Sequence, residues 1–372
     1  MDERFAALIE LLDTKTIDQS WCTGYQLFVA NRHTTLVDVG SGVDGLGQSV
    51  STDSMFAIYC AGKPITALAI GALTDAGELS LEDVIGDILP PPLHPALCTT
   101  TVKQLLTHTA GLWKYPAIAF LTIPAQARRQ TVRSIEPAPQ PSNCGHYADF
   151  AAWELLAMVI EELTGLTFER AIDELVLNRC GLRDEIRFTM PSRHHSRHRL
   201  RINADLQAGR PMPILWERSI SNLSDVRPSG GAIASMTAMG HLYQATLRCL
   251  NDGTGDIIGK SVAEALTTPT TRAAMDPVLG RTCRYSPGFM TDLSLPEFDT
   301  AMSERTFGHS GLHGMTFAGA DPQTDTIFAV HLNGVTRHDE PASGDPDNSP
   351  LARRRLICRL IADATKPDAQ RT

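Results

Sequence analysis

Met55-Phe56-Ala57-Ile58-Tyr59-Cys60-Ala61-Gly62-Lys63-Pro64, followed by the apolar run Ile65 to Leu73, is the stretch on which the reading of the chain turns. It sets a nucleophile and an amine three residues apart at a helix start. That spacing puts both side chains on one helical face, where the helix N-terminus and the ammonium both favour a thiolate. Pro64 is tolerated because the first turn does not need its N–H. Taken alone, a cysteine on a buried helix is most often a small hydrophobe, and a nearby lysine a snorkelling surface residue. The rest of the chain must therefore decide.

Working outward, helical periodicity runs from Ala61 to Ala76 and stops at Gly77, a C-cap signal. It recurs from Phe150 to Thr164, ending at Gly165, and again from Leu351 to Ala364. The alternating segments Tyr25–Ala30 and Thr35–Val39 read as a β-hairpin, and Met315–Ala320 with Thr326–Leu332 read as another strand-turn-strand. Strands at both ends enclosing a helical middle predict an α/β (α+β) chain. Its antiparallel sheet is built from both termini and flanked by helices, with a mostly helical subdomain inserted between. We read residues 1–372 as a single unit, with a sheet lobe of 1–58 plus 285–372 and a helical lobe of 59–284. Any site falls at their junction. Arg337 to Ser349, rich in Asp, Pro, Ser and Gly, reads as a surface loop.

The 372 residues carry a formal charge of -9, with 42% hydrophobic and 20% charged residues, the balance of a folded globular protein. The acidic balance argues against a nucleic-acid partner. The one basic cluster, Arg193 to Arg201, is short and reads as a solvated surface loop, with a docking loop for an anionic substrate or carrier protein as the sharper alternative. No window approaches the roughly 20 apolar residues needed to cross a bilayer, so no membrane partner is expected. The acidic amphipathic start Met1 to Asp13 lacks the pattern of a signal peptide, which points to the cytoplasm. Eight cysteines at 22, 60, 98, 144, 180, 249, 283 and 358 show no metal-ligand or redox spacing and are expected to be reduced.

Three motifs then occur in a telling order. Cys60-Ala61-Gly62-Lys63 occupies the place of an S-x-x-K box. Tyr147-Ala148-Asp149 occupies that of a Tyr-x-Asn box, ahead of the helical run Trp153 to Gly165. His309-Ser310-Gly311, within Phe307-Gly308-His309-Ser310-Gly311, occupies that of a Lys/His-Ser/Thr-Gly strand. Val102 to Leu112 and the glycine loop Pro228-Ser229-Gly230-Gly231 fit the same scheme. In these motifs the chain resembles, over nearly its whole length, the serine β-lactamase-like and penicillin-binding-protein superfamily, in particular its class C β-lactamase and carboxylesterase branch. There are two departures. Cysteine stands where the family has its nucleophilic serine, and Asp149 stands where it has asparagine, with the following helix one residue further on.

The resemblance implies a β-lactamase-like fold and acyl transfer through a thioester on Cys60. Lys63 and Tyr147 would form the proton-shuttling pair. The backbone N–H groups of Cys60 and Leu312 would form an oxyanion hole, a term of ~2.7–4 kcal/mol per donor. His309, Ser310, Gly311, Leu312 and Asp149 would contact substrate, with His309 binding a polar group or tuning Lys63. His108 looks structural. No metal or organic cofactor is implied; the partners are a small-molecule acyl donor and an amine acceptor. A thioester favours amines over water more than an ester does, which suits an ATP-independent, amide-forming transacylase of specialised (secondary) metabolism. An esterase or amidase, and an inactive binding protein, stay open beside it.

Overall fold

The computed structural model describes residues 2–18, 20–116, 123–205, 210–219, 223–253, 255–291, 299–311, 314–336 and 349–366. The Arg337–Ser349 segment falls almost wholly outside these. A helix α1 (Ala6–Ile17) leads into strands β1 (Gly24–Ala30) and β2 (Thr35–Gly42). The middle of the chain supplies α2 (Lys63–Asp75), α3 (Ala151–Thr164) and α4 (Met236–Asp252). Strands β3 (Tyr285–Ser286), β4 (Phe289–Thr291), β5 (Phe307–Ser310), β6 (Thr316–Asp321) and β7 (Thr326–Leu332) follow, before the last helix α5 (Pro350–Thr365).

These strands form one seven-stranded antiparallel sheet in the order β3-β4-β5-β6-β7-β1-β2. The two ends of the chain meet at the β7–β1 pair, one strand in from the β2 edge, where Leu27 pairs with Val330 and Phe28 with Ala329. Every residue of β1 and β7 is buried, because helices cover both faces. Tyr25, Leu27 and Val29 alternate toward α1 and α5, packing with Leu8, Leu12, Ile357 and Ile361. Phe28 and Ala30 face the other way, into a larger core shared with α2, α3 and α4. Gly240 of α4 lets the helix settle on the sheet, since a Cβ there would stand 2.0 Å from the Phe28 ring.

Helix α2 is buried from Lys63 through Leu73, and burying each of Ile65, Leu68, Ile70 and Leu73 contributes about 1.5–3 kcal/mol. It ends where the sequence indicates, with Gly77 at φ +74. Its start differs from expectation: Tyr59–Gly62 forms a 3-10 turn and α2 begins at Lys63, so Cys60 lies ahead of the helix. Helix α3 stops at Gly165, φ +66, in the left-handed conformation that glycine adopts at no steric cost.

The Arg193–Arg201 cluster is solvated only in part, with Arg193, His195 and Ser196 exposed. Arg201 is fully buried, Arg197 pairs with Glu185, and Arg193 and His194 both reach Asp184. All eight cysteines are free. Among the described residues no helix is long and apolar enough to cross a membrane.

Candidate active site

The turn that carries Cys60 is strained on its approach. Tyr59 holds φ +50, a region L-residues avoid at a cost on the order of 1–3 kcal/mol, so its surroundings must over-determine it. The Tyr59 hydroxyl donates to Glu217 Oε1 at 2.5 Å, and the Arg201 guanidinium stacks on its ring at 4.9 Å. Immediately after, Gly62 packs so closely on the glycine loop that a Cβ would lie 2.6 Å from the Ala232 methyl. The loop is itself braced by Arg128, which donates to Asp225 at 2.5 and 3.2 Å and to the Val226 carbonyl, while Asp225 also pairs with Arg227.

Lys63 points back from the first turn of α2 and is wholly buried. Its Nζ donates to the Ser229 carbonyl at 2.8 Å and lies 3.6 Å from Asp149 Oδ1. A buried ammonium without such partners would cost several kcal/mol. The Tyr147 and Trp153 rings, 5.2 and 5.4 Å from Nζ, complete its cage.

Tyr147-Ala148-Asp149 is an extended strap fixed from behind. The Tyr147 amide donates to Asp276 Oδ2, which also accepts the Tyr285 hydroxyl, both at 2.8 Å. The Ala148 amide donates to His108 Nδ1 at 3.0 Å, and its carbonyl accepts Trp153 Nε1 at 3.1 Å. His108 thus holds the strap and packs tilted against the Tyr147 ring at 4.8 Å, the structural part its sequence context suggested. The strap presents Asp149 to the site: Cys60 Sγ donates to Asp149 Oδ1 at 3.4 Å, the same oxygen that Lys63 approaches. Tyr147 lines the same pocket as Cys60.

Cys60, Tyr147, Asp149, His309, Ser310 and Gly311 line one pocket of about 490 Å³. Trp113, Leu279, Met290 and Leu351 are its apolar lining, and Arg281 and Arg354 line it as well. Leu312 lies outside the described residues. A second cavity of about 410 Å³, lined by Cys180, Glu185, His241 and Arg248, contains none of these groups.

Electrostatics correct one expectation. Burial pushes the Cys60 thiol above its ordinary value; Lys63 and Tyr147 oppose that, Asp149 adds to it, and burial prevails. The thiolate inferred from a neighbouring lysine and a helix start is therefore not the resting state, partly because the helix begins only at Lys63. Burial also raises Tyr147 well above the usual phenol range, so it rests as a proton donor. Burial, reinforced by Lys63, lowers His309 to about 3. The ring is neutral at pH 7, with Nδ1 2.8 Å from the Ser310 carbonyl, and lines the pocket as an uncharged imidazole.

Sequence reasoning missed several groups. Arg281, Arg354, Tyr285 and Asp225 lie in no motif, and Tyr59 only flanks Cys60 in the sequence.

The Beta-lactamase family model matches residues 5–349, and the chain belongs to that family. Penicillin-binding protein 4 of Amycolatopsis lactamdurans is 28% identical over 42% of this chain and 42% of its own length. Esterase EstB of Burkholderia gladioli is 29% identical over 37% of this chain and 40% of its own. The chain thus spans about two fifths of the length of these curated relatives. Among solved structures, a penicillin-binding protein homologue from Caulobacter crescentus superposes with a TM-score of 0.77 at 22% identity, covering 95% of this chain and 97% of that one. EstCE1, described as a hydrolase with promiscuous acyltransferase activity, superposes at 0.76 with 17% identity, covering 98% and 99%. At these identities the superpositions establish the fold.

Proposed function

We propose that the chain is an acyl-transfer enzyme that forms a thioester on Cys60 and passes the acyl group to an amine, releasing an amide without ATP. The observation that carries this reading is the thiol at the pocket floor with Lys63, Tyr147 and Asp149 gathered on it. A nucleophile in contact with a base and with proton donors is what covalent catalysis requires. Cys60 attacks the donor carbonyl, while Lys63 and Tyr147 supply positive charge and a hydrogen bond beside the sulfur. Ser310 ends β5 and Gly311 follows it into the pocket lining, and the resemblance assigns the Cys60 and Leu312 amides to the oxyanion. His309 contacts the substrate through a neutral ring.

The esterase and the promiscuous acyltransferase among the similar proteins accord with carbonyl chemistry of this class. Transfer is favoured over hydrolysis here by the nucleophile itself, since a thioester discriminates for amines against water.

The test is intact-protein mass spectrometry after incubation with activated esters and thioesters, with and without a primary amine. An adduct on Cys60 that is absent in Cys60→Ala and discharged faster by amine than by water is the expected result. Discharge by water alone would make the chain a hydrolase. No adduct from any donor on an accessible thiol would make it a binding protein.

A further inference from the structure

We propose that Asp149 is the general base of this site, taking the proton from the Cys60 thiol and returning it to the departing group. The inference rests on the acyl-enzyme reading above and assigns the proton transfer within it.

Three groups reach the thiol, and their geometry separates their parts. Lys63 is wholly buried and its Nζ lies between two acceptors, the Ser229 carbonyl at 2.8 Å and Asp149 Oδ1 at 3.6 Å, the placing of a donor. Tyr147 is buried beside the site, and a buried phenol keeps its proton. Asp149 is the acceptor: the thiol points at Oδ1 from 3.4 Å, and the carboxylate lines the pocket where substrate enters. A resting thiol that burial keeps protonated cannot attack unless a base removes its proton during the attack. Asparagine at this position could accept the same hydrogen bond and could not take the proton. The departure from serine to cysteine at 60 and the carboxylate at 149 therefore act together.

The proton accounting closes without any further reactant. As the S–C bond forms, the thiol proton moves to Asp149. As the donor's C–X bond breaks, Asp149 gives that proton to X, and HX leaves. The amine then attacks the thioester and loses its proton to Asp149. The C–S bond breaks and Asp149 returns the proton to sulfur, restoring the resting thiol. Lys63 and Tyr147 exchange no proton in this cycle and stabilise the negative charge.

The experiment compares wild type, Asp149→Asn and Asp149→Glu, reading Cys60 acylation by quenched-flow mass spectrometry with two donors of the same acyl group. One is an alkyl thioester, whose leaving thiolate is basic; the other is a p-nitrophenyl ester, whose leaving group needs no proton. Asp149→Asn is expected to slow acylation by the alkyl thioester about 100-fold or more, with a loss at least several-fold smaller for the p-nitrophenyl ester. Asp149→Glu is expected to recover part of the difference. Iodoacetamide labelling of Cys60 and the melting temperature confirm that the pocket remains folded. Equal acylation by Asp149→Asn and wild type, or a faster variant, would overturn the proposal and leave Asp149 as a charge that merely restrains the thiol. Equal losses with both donors would overturn the proton return and leave Asp149 as the base for the thiol alone. Failure of the wild type to acylate with either donor would overturn the acyl-enzyme reading, and this assignment with it.

Discussion

Gly62→Ala isolates what the close packing of the Cys60 turn is for. Gly62 has φ -83 and ψ -12, a conformation alanine adopts freely, so the backbone raises no objection. Removing glycine from the unfolded chain by itself stabilises by about 0.4–1 kcal/mol. Against this, the new methyl would stand 2.6 Å from Ala232 Cβ, where carbon atoms in contact normally keep about 3.5–4.0 Å. Relief needs a shift of about 1 Å between the turn and the glycine loop. Neither side yields easily, because the Ala232 carbonyl accepts the Ile58 amide and Ser229 in the same loop holds Lys63. Overpacking of this kind costs about 1–3 kcal/mol, so the balance favours a net loss of about 1–2 kcal/mol. The functional cost is larger in proportion: a displacement of about 1 Å between nucleophile and partners lowers rate on the order of 100-fold. Urea unfolding reads the first effect and the acylation rate of Cys60 the second. Ala232→Gly in the same chain removes the clashing methyl and is expected to restore both. A Gly62→Ala protein as stable and as fast as wild type, or one that Ala232→Gly leaves unrescued, would refute this account.

Two further outcomes follow from burial. Glu154 on α3 is fully buried, 3.5 Å from Arg128 and 4.0 Å from Arg129, yet desolvation outweighs both and pushes its pKa from 4.5 up to about 7. A raised folded-state value means that stability is fully present below about pH 4.5 and is lost as pH climbs through about 7, by about 3 kcal/mol. Glu154→Gln should flatten that fall in urea titrations across this range; an unchanged pH dependence would count against it. For Cys60, the raised thiol predicts iodoacetamide alkylation at pH 7 slower than for an exposed cysteine and increasing into the alkaline range. A midpoint below neutrality would show Lys63 outweighing burial.

The sequence by itself settled the family-level architecture. Helical periodicity closing at Gly77 and Gly165, and the period-two strands at both ends, are local signals set by backbone geometry, and they survive folding almost unchanged. The order of three short motifs was enough to bring Cys60, Lys63, Tyr147 and His309 forward as one group before any distance was known. What tertiary structure alone decided was the state of that group. Asp149 reaches Cys60 because His108, Asp276 and Trp153, each far from one another along the chain or on a different element, fix the strap that carries it. Tyr59 holds its left-handed backbone through Glu217 and Arg201, about 150 residues away in sequence. The thiol's protonation reversed the local expectation. Spacing reports only the one lysine nearby, whereas desolvation sums over every atom that packing brings around the sulfur, and that sum exists only in the folded chain.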